Sequence, residues 1–123
     1  MKIKCYALFL ALVALSGCAS TPRPEPLFDW GAIPGSYDKL VREPGDASLA
    51  EHIKALQDTI NQSAQKGKRV PPGVYCELGY LLFKGGQKGD ALHYYDLEIS
   101  TYPESRLFVE HLKAKVSANP DKP

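Results

Sequence analysis

Three cysteines (Cys5, Cys18, Cys76) and three histidines (His52, His93, His111) are the side chains of this 123-residue chain best suited to metal binding or nucleophilic chemistry. A metal site on a helix needs ligands one turn apart, and no histidine has a second histidine or a carboxylate four positions away. Cys76 has no histidine near it in sequence to draw off its proton, so it reads as a structural or half-exposed thiol. The stretch FKGGQKGD, residues 83–90, has the glycines and lysines of a phosphate loop. It lacks the closing Gly-Lys-Ser/Thr and a preceding strand, which leaves it as a turn between helices. These residues predict no metal, no cofactor and no catalysis.

Cys18 carries chemistry of another kind. Lys2 and Lys4 precede an apolar run from Tyr6 to Leu15, too short to span a bilayer and laid out as a secretory signal over residues 1–17. Leu15-Ser16-Gly17-Cys18 resembles the lipobox of bacterial lipoproteins. The resemblance implies that Cys18 is the lipidation site: diacylglycerol alkylates the thiol, the signal is cut just before it, and the new amino terminus is acylated. Two or three acyl chains, at about 0.8 kcal/mol per buried methylene, anchor a protein stably where one does not. Ala19 and Ser20 follow, without the aspartate that retains such proteins at the inner membrane. The implied location is the periplasmic side of the cell outer membrane, with the membrane contact made through the lipid anchor.

What remains is one domain at most. The chain has 15 basic and 14 acidic residues, and Lys2 and Lys4 leave with the signal, so the mature protein is close to neutral and has no footprint for nucleic acid. Residues 18–33 read as the lipidated cysteine and a proline-rich, extended tether, in which Leu27, Phe28 and Trp30 either pack back on the domain or form an exposed docking peptide. The folded part is expected over 34–117, with 118–123 a disordered tail.

Four-residue and three-residue spacings dominate that part. Residues 36–43 have the length of two helical turns before Pro44-Gly45. Leu49, Ile53, Leu56, Ile60 and Ala64 form an apolar stripe that predicts a helix over 47–66, with Ser48 and Glu51 as a capping box and Gly67 at its C-cap. Pro72 opens a second helix on which Tyr75, Leu78 and Leu82 share a face, and Gly85-Gly86 end it. A third runs over 88–101, and a fourth starts near Pro103, with Leu107, Phe108, Leu112 and Val116 as its core-facing stripe. No stretch alternates as a strand. The predicted fold class is all-α, with antiparallel hairpins of about four helices.

Residues 72–105, PGVYCELGYLLFKGGQKGDALHYYDLEISTYPES, resemble a tetratricopeptide repeat. Tyr75, Leu78, Gly79, Leu82, Ala91, Tyr95 and Pro103 stand at the family spacing for packing two antiparallel helices. Glu98 departs from it, occupying a position where the repeat has a small residue, so looser packing or an outward-pointing carboxylate is expected there. In tetratricopeptide proteins the first helix of each pair lines the concave face, which implies a partner-binding surface at Cys76, Tyr80, Phe83 and Lys84. The alternative is that the 47–66 helix covers Tyr80 and Phe83.

From Trp30 to Leu112 the chain is also similar to a family of small bacterial lipoproteins whose domain has no known function, commonly encoded beside a CsgG-like lipoprotein. The marks are Pro71-Pro72-Gly73, Leu78-Gly79 and Pro103-Glu104-Ser105. That resemblance implies an envelope protein as partner, with a CsgG-like lipoprotein the candidate, and a non-enzymatic adaptor as the function. A pilotin-like escort of an outer-membrane pore subunit is the alternative. An envelope enzyme or small-ligand binder would require two or more of Cys76, His93 and Glu98 to converge in a closed pocket.

Overall fold

In the computed structural model, which describes residues 23–118, every regular element is helical and no strand occurs among the described residues. The helices are α1 (Ile33–Arg42), α2 (Asp46–Gln65), α3 (Val74–Lys84), α4 (Lys88–Thr101) and α5 (Arg106–Ala118), with a 3-10 turn at Pro103–Ser105 leading into α5. The all-α, helical-hairpin expectation holds: α1 packs on α2, α3 on α4, and α5 on α4. The signal segment, Cys18 and residues 119–123 lie outside the described residues.

α1 is longer than the two turns expected from residue 36. Pro34 sits in its first turn, where a missing N–H costs nothing, and Lys39 and Arg42 occupy the last turn, where the helix dipole favours cations. Ile33, expected at the end of the tether, is a core residue.

On α2 the buried face is rotated from the expected one. Ser48, His52, Ala55, Leu56, Thr59 and Ser63 point inward, whereas Ile53 and Ile60 are half-buried on its flank and Ala64 is exposed. Apart from Leu56, the inward side chains are small or hydrogen-bonded, which lets α1 approach closely. The capping box is absent as well. The helix starts at Asp46, Ser48 Oγ donates to the Glu43 and Gly45 carbonyls, and Glu51 pairs with Lys39 instead of reaching back. Gly67 closes the helix as predicted, with the Lys68 N–H returning to the Ser63 carbonyl at 2.9 Å.

The loop from Lys66 to Gly73 is held at several points. The Tyr102 hydroxyl donates to the Val70 carbonyl at 2.6 Å, and the Arg69 guanidinium lies 4.6 Å from the centre of the Tyr102 ring. Lys66 pairs with Asp29 and Lys68 with Glu25, while Thr59 Oγ1 donates to the Trp30 carbonyl. The described part of the expected tether therefore runs back along the domain from Glu25. Its backbone is bound, Phe28 is half-buried, and Leu27 and Trp30 still face solvent.

Gly79 fixes how tightly α3 and α4 meet. A Cβ built there would lie 2.9 Å from Tyr95 Cε1 and 3.0 Å from the Ala91 carbonyl oxygen, so only glycine admits the contact. Leu78, Leu82, Ala91 and Tyr95 are buried around it and Tyr75 stacks on Tyr94, while Pro103 is exposed at the turn. The apolar interior forms two clusters, one centred on Leu56 and Leu78 and the other on Tyr95 and Val109, with Phe83 packed against both.

Two sequence expectations fail on this side. Leu107 and Phe108 are exposed, and Val109 takes the core position, because the inward stripe of α5 is Val109, Leu112 and Val116. Glu98 points inward and is 2% exposed. Its carboxylate fills the space a small residue would leave and bonds to the start of α3, so the packing is not looser there.

Replacing Gly79 with leucine is expected to cost more than the about 1–3 kcal/mol typical of overpacking, since the clash is with backbone as well as a ring. Urea unfolding followed by circular dichroism should show loss of the cooperative transition or a midpoint far below that of the parent.

Candidate functional site

An apolar groove of about 520 Å³ opens between α3 and α5. Cys76, Glu77 and Tyr80 come from α3, and Phe108, Val109 and Leu112 from α5. Gly73, Ser105 and Glu98 close one end. Of α4, Glu98 alone lines the groove.

The closed end depends on Glu98. Gly73 adopts a left-handed conformation (φ 87°) and has no side chain to cap α3. The carboxylate of Glu98 acts in its place from the neighbouring helix: Oε1 accepts from the Gly73 N–H at 2.9 Å and Oε2 from the Cys76 N–H at 3.4 Å. These N–H groups belong to the unpaired first turn of α3, whose dipole also favours a negative charge.

Burial first, and then the Glu98 and Glu77 carboxylates, push the Cys76 thiol up to about 11. At neutral pH it is the protonated thiol, a weak nucleophile and a compact apolar wall for the groove. Cys76 and Glu98 thus do meet, but in an open groove and without His93, which is exposed and lies edge-on to Tyr94. Among the described residues no group of His, Cys, Asp or Glu could hold a metal ion.

The four positions inferred for partner binding separate. Cys76 and Tyr80 line the groove, and Tyr80 is 46% exposed, so α2 does not cover it. Phe83 is packed between the two core clusters and Lys84 is exposed one turn beyond the lining residues. Phe108, Val109 and Leu112 were missed as lining residues, and Glu98 was named only for a closed pocket. The spacing of Ser105, Val109, Leu112 and Val116 is the signal that could have found the α5 wall.

Glu77 also links the groove to a buried polar chain. His52 is 1% exposed. Its Nδ1 is 2.8 Å from Ser36 Oγ and its Nε2 is 2.9 Å from Glu77 Oε1. An ionised carboxylate only accepts, so Nε2 carries the proton shared with Glu77. Ser36 is itself buried and lies 3.1 Å from the Ile33 carbonyl oxygen, so the trio braces α1, α2 and α3 together.

Two outcomes follow from this geometry. Iodoacetamide labelling of Cys76 at pH 8, read by peptide mass spectrometry, should be about a hundredfold slower in the folded protein than in urea, because a thiol raised to about 11 holds far less thiolate at that pH. His52→Ala should lower stability by about 1–3 kcal/mol in urea unfolding, because Ser36 and Glu77 lose a buried partner.

Comparison with known proteins finds no significant match among curated proteins or solved structures. A family profile described as a domain of unknown function, DUF4810, matches residues 27–112. That span begins in the segment bound back along α2 and ends at Leu112 on the far wall of the groove. The chain belongs to the DUF4810 family.

Proposed function

We propose that this protein is a non-enzymatic, lipid-anchored adaptor that docks a partner protein in the groove between α3 and α5, on the periplasmic face of the outer membrane. The observation that carries the reading is the groove itself, an open apolar channel with Tyr80 and Phe108 standing 46% and 62% exposed at its edges. Aromatic side chains beside a desolvated pocket are what protein interfaces favour. The tetratricopeptide-like spacing of residues 72–105 supports it further, since α3 would be the first helix of one repeat and α5 the first helix of the next, the pair that lines the binding face in such proteins.

Attachment in this reading comes from Cys18. No helix among the described residues is long and apolar enough to cross a membrane. The partner is an envelope protein, with a CsgG-like lipoprotein of a secretion or envelope complex the leading candidate on family resemblance. A pilotin-like escort would use the same groove and differ in its consequence: loss of the protein would mislocalise a pore subunit instead of destabilising one already in place.

A photoreactive phenylalanine at position 80 of the full chain, activated in intact cells, should crosslink one envelope protein, identified by mass spectrometry. Tyr80→Ala combined with Phe108→Ala should abolish co-purification of that protein and leave the thermal melt nearly unchanged. No capture from position 80 with the chain folded and membrane-bound would overturn the docking reading. Separately, Cys18→Ser should move the protein from the membrane to the soluble periplasmic fraction; retention in the membrane would overturn the lipid anchor.

A further inference from the structure

The outer edge of α5 carries a strip that complements itself. Successive residues of α5 turn by about 100°, which puts Phe108, His111 and Lys115 along one face with Leu107 beside them, and Glu104, in the 3-10 turn that leads into the helix, stands about one turn before Phe108. All are exposed, Leu107 to 88% and Phe108 to 62%. Read along the helix, the order is acid, aromatic, imidazole, base. Turned end for end, the same strip sets base against acid and imidazole against aromatic.

The geometry points to a second copy of this chain as the occupant of this face. Two α5 helices pack antiparallel about a two-fold axis passing near residues 109 and 110. Glu104 then faces Lys115 of the second copy, Phe108 faces His111 of the second copy, and each relation occurs twice. A surface that pairs with itself in this way is what a two-fold dimer requires. Glu110 and Lys113 do not spoil the register, because they lie on the far side of the helix. There Lys113 bonds to Asp96 at 2.7 Å and reaches Glu110 at 3.8 Å.

A partner helix of another protein would need this charge order by coincidence; a second copy has it necessarily. The inference goes beyond the docking reading, since it uses the edge of α5 and leaves the groove floor open. Pairing brings two grooves side by side, with the Phe108 rings between them.

The test uses the full chain with a photoreactive phenylalanine in place of Leu107, co-expressed with a differently tagged copy and irradiated in intact cells. A crosslink joining the two tags is expected. Lys115→Glu in both copies should lower its yield about tenfold by setting like charges opposite each other. Adding Glu104→Lys should restore the yield, while circular-dichroism melts stay unchanged throughout. Absence of the two-tag crosslink, capture of only some other protein from position 107, or a two-tag crosslink indifferent to both charge changes would overturn the pairing. Capture from position 80 is read independently, so failure here leaves the docking reading standing, and failure there leaves this one.

Discussion

A carboxylate buried as deeply as that of Glu98 is tolerable only if its charge is met, and the way it is met organises the groove side of the molecule. Two backbone N–H groups at the start of α3 supply the bonds, and the positive end of the helix supplies the field. The helix gains a cap that glycine cannot give it. Because the cap comes from α4, the start of α3 is placed relative to the last turn of its neighbour. Gly79 then sets the distance one and a half turns further on, where α3 meets the Tyr95 ring and the Ala91 carbonyl. Two contacts, one polar and one steric, fix the angle and separation of the hairpin. The groove inherits its shape from them.

The other half of the molecule is held by polar groups where apolar ones would be the ordinary choice. α2 turns Ser48, His52, Thr59 and Ser63 inward. Small hydroxyl side chains let α1 and the segment at Trp30 come close, and most find a partner, though Ser63 Oγ has none among the described residues. Such an interior gains less from burial than a leucine core, and its stability rests on bonds being complete. His52 is the costliest member to lose because it joins α1 to α3 through α2. Its link to Glu77 also means that the brace and one wall of the groove share a side chain.

The helical class was legible, and from Pro72 onward apolar spacing, prolines and glycine stops agree with one another, whereas five helices stand where about four were expected. Gly79, Ala91 and Tyr95 meet where α3 and α4 cross, and their sizes leave few other arrangements. α2 misled because hydrophobicity was used to choose its inner face. A stripe of serine, threonine and histidine carries no apolar signal, although its spacing of 48, 52, 55, 59 and 63 is as regular as the stripe that was read. Leu107-Phe108 misled for a related reason: adjacent helix residues differ by about 100°, so both cannot lead into the core, and Val109 was the overlooked competitor. Glu98 could not be assigned from sequence at all. Its partners are backbone groups 22 and 25 residues away, and backbone groups leave no residue type to recognise.

The bound course of residues 25–31 bears on how such a domain would stand on a membrane. A free tether from Cys18 to Ile33 would reach about 50 Å when fully extended. With Glu25 held by Lys68 and Asp29 by Lys66, only the span from Cys18 to Glu25 is left to separate the domain from an anchor at Cys18, about 25 Å at most. Each of these ion pairs joins one exposed and one half-buried side chain and is individually weak. They act together with the Thr59 bond to the Trp30 carbonyl and with Gly31, whose position no side chain could share, since a Cβ there would meet Thr59 Oγ1 at 2.8 Å. A proposed adaptor anchored in this way would work close to the membrane surface, within reach of partners whose own exposed segments are short.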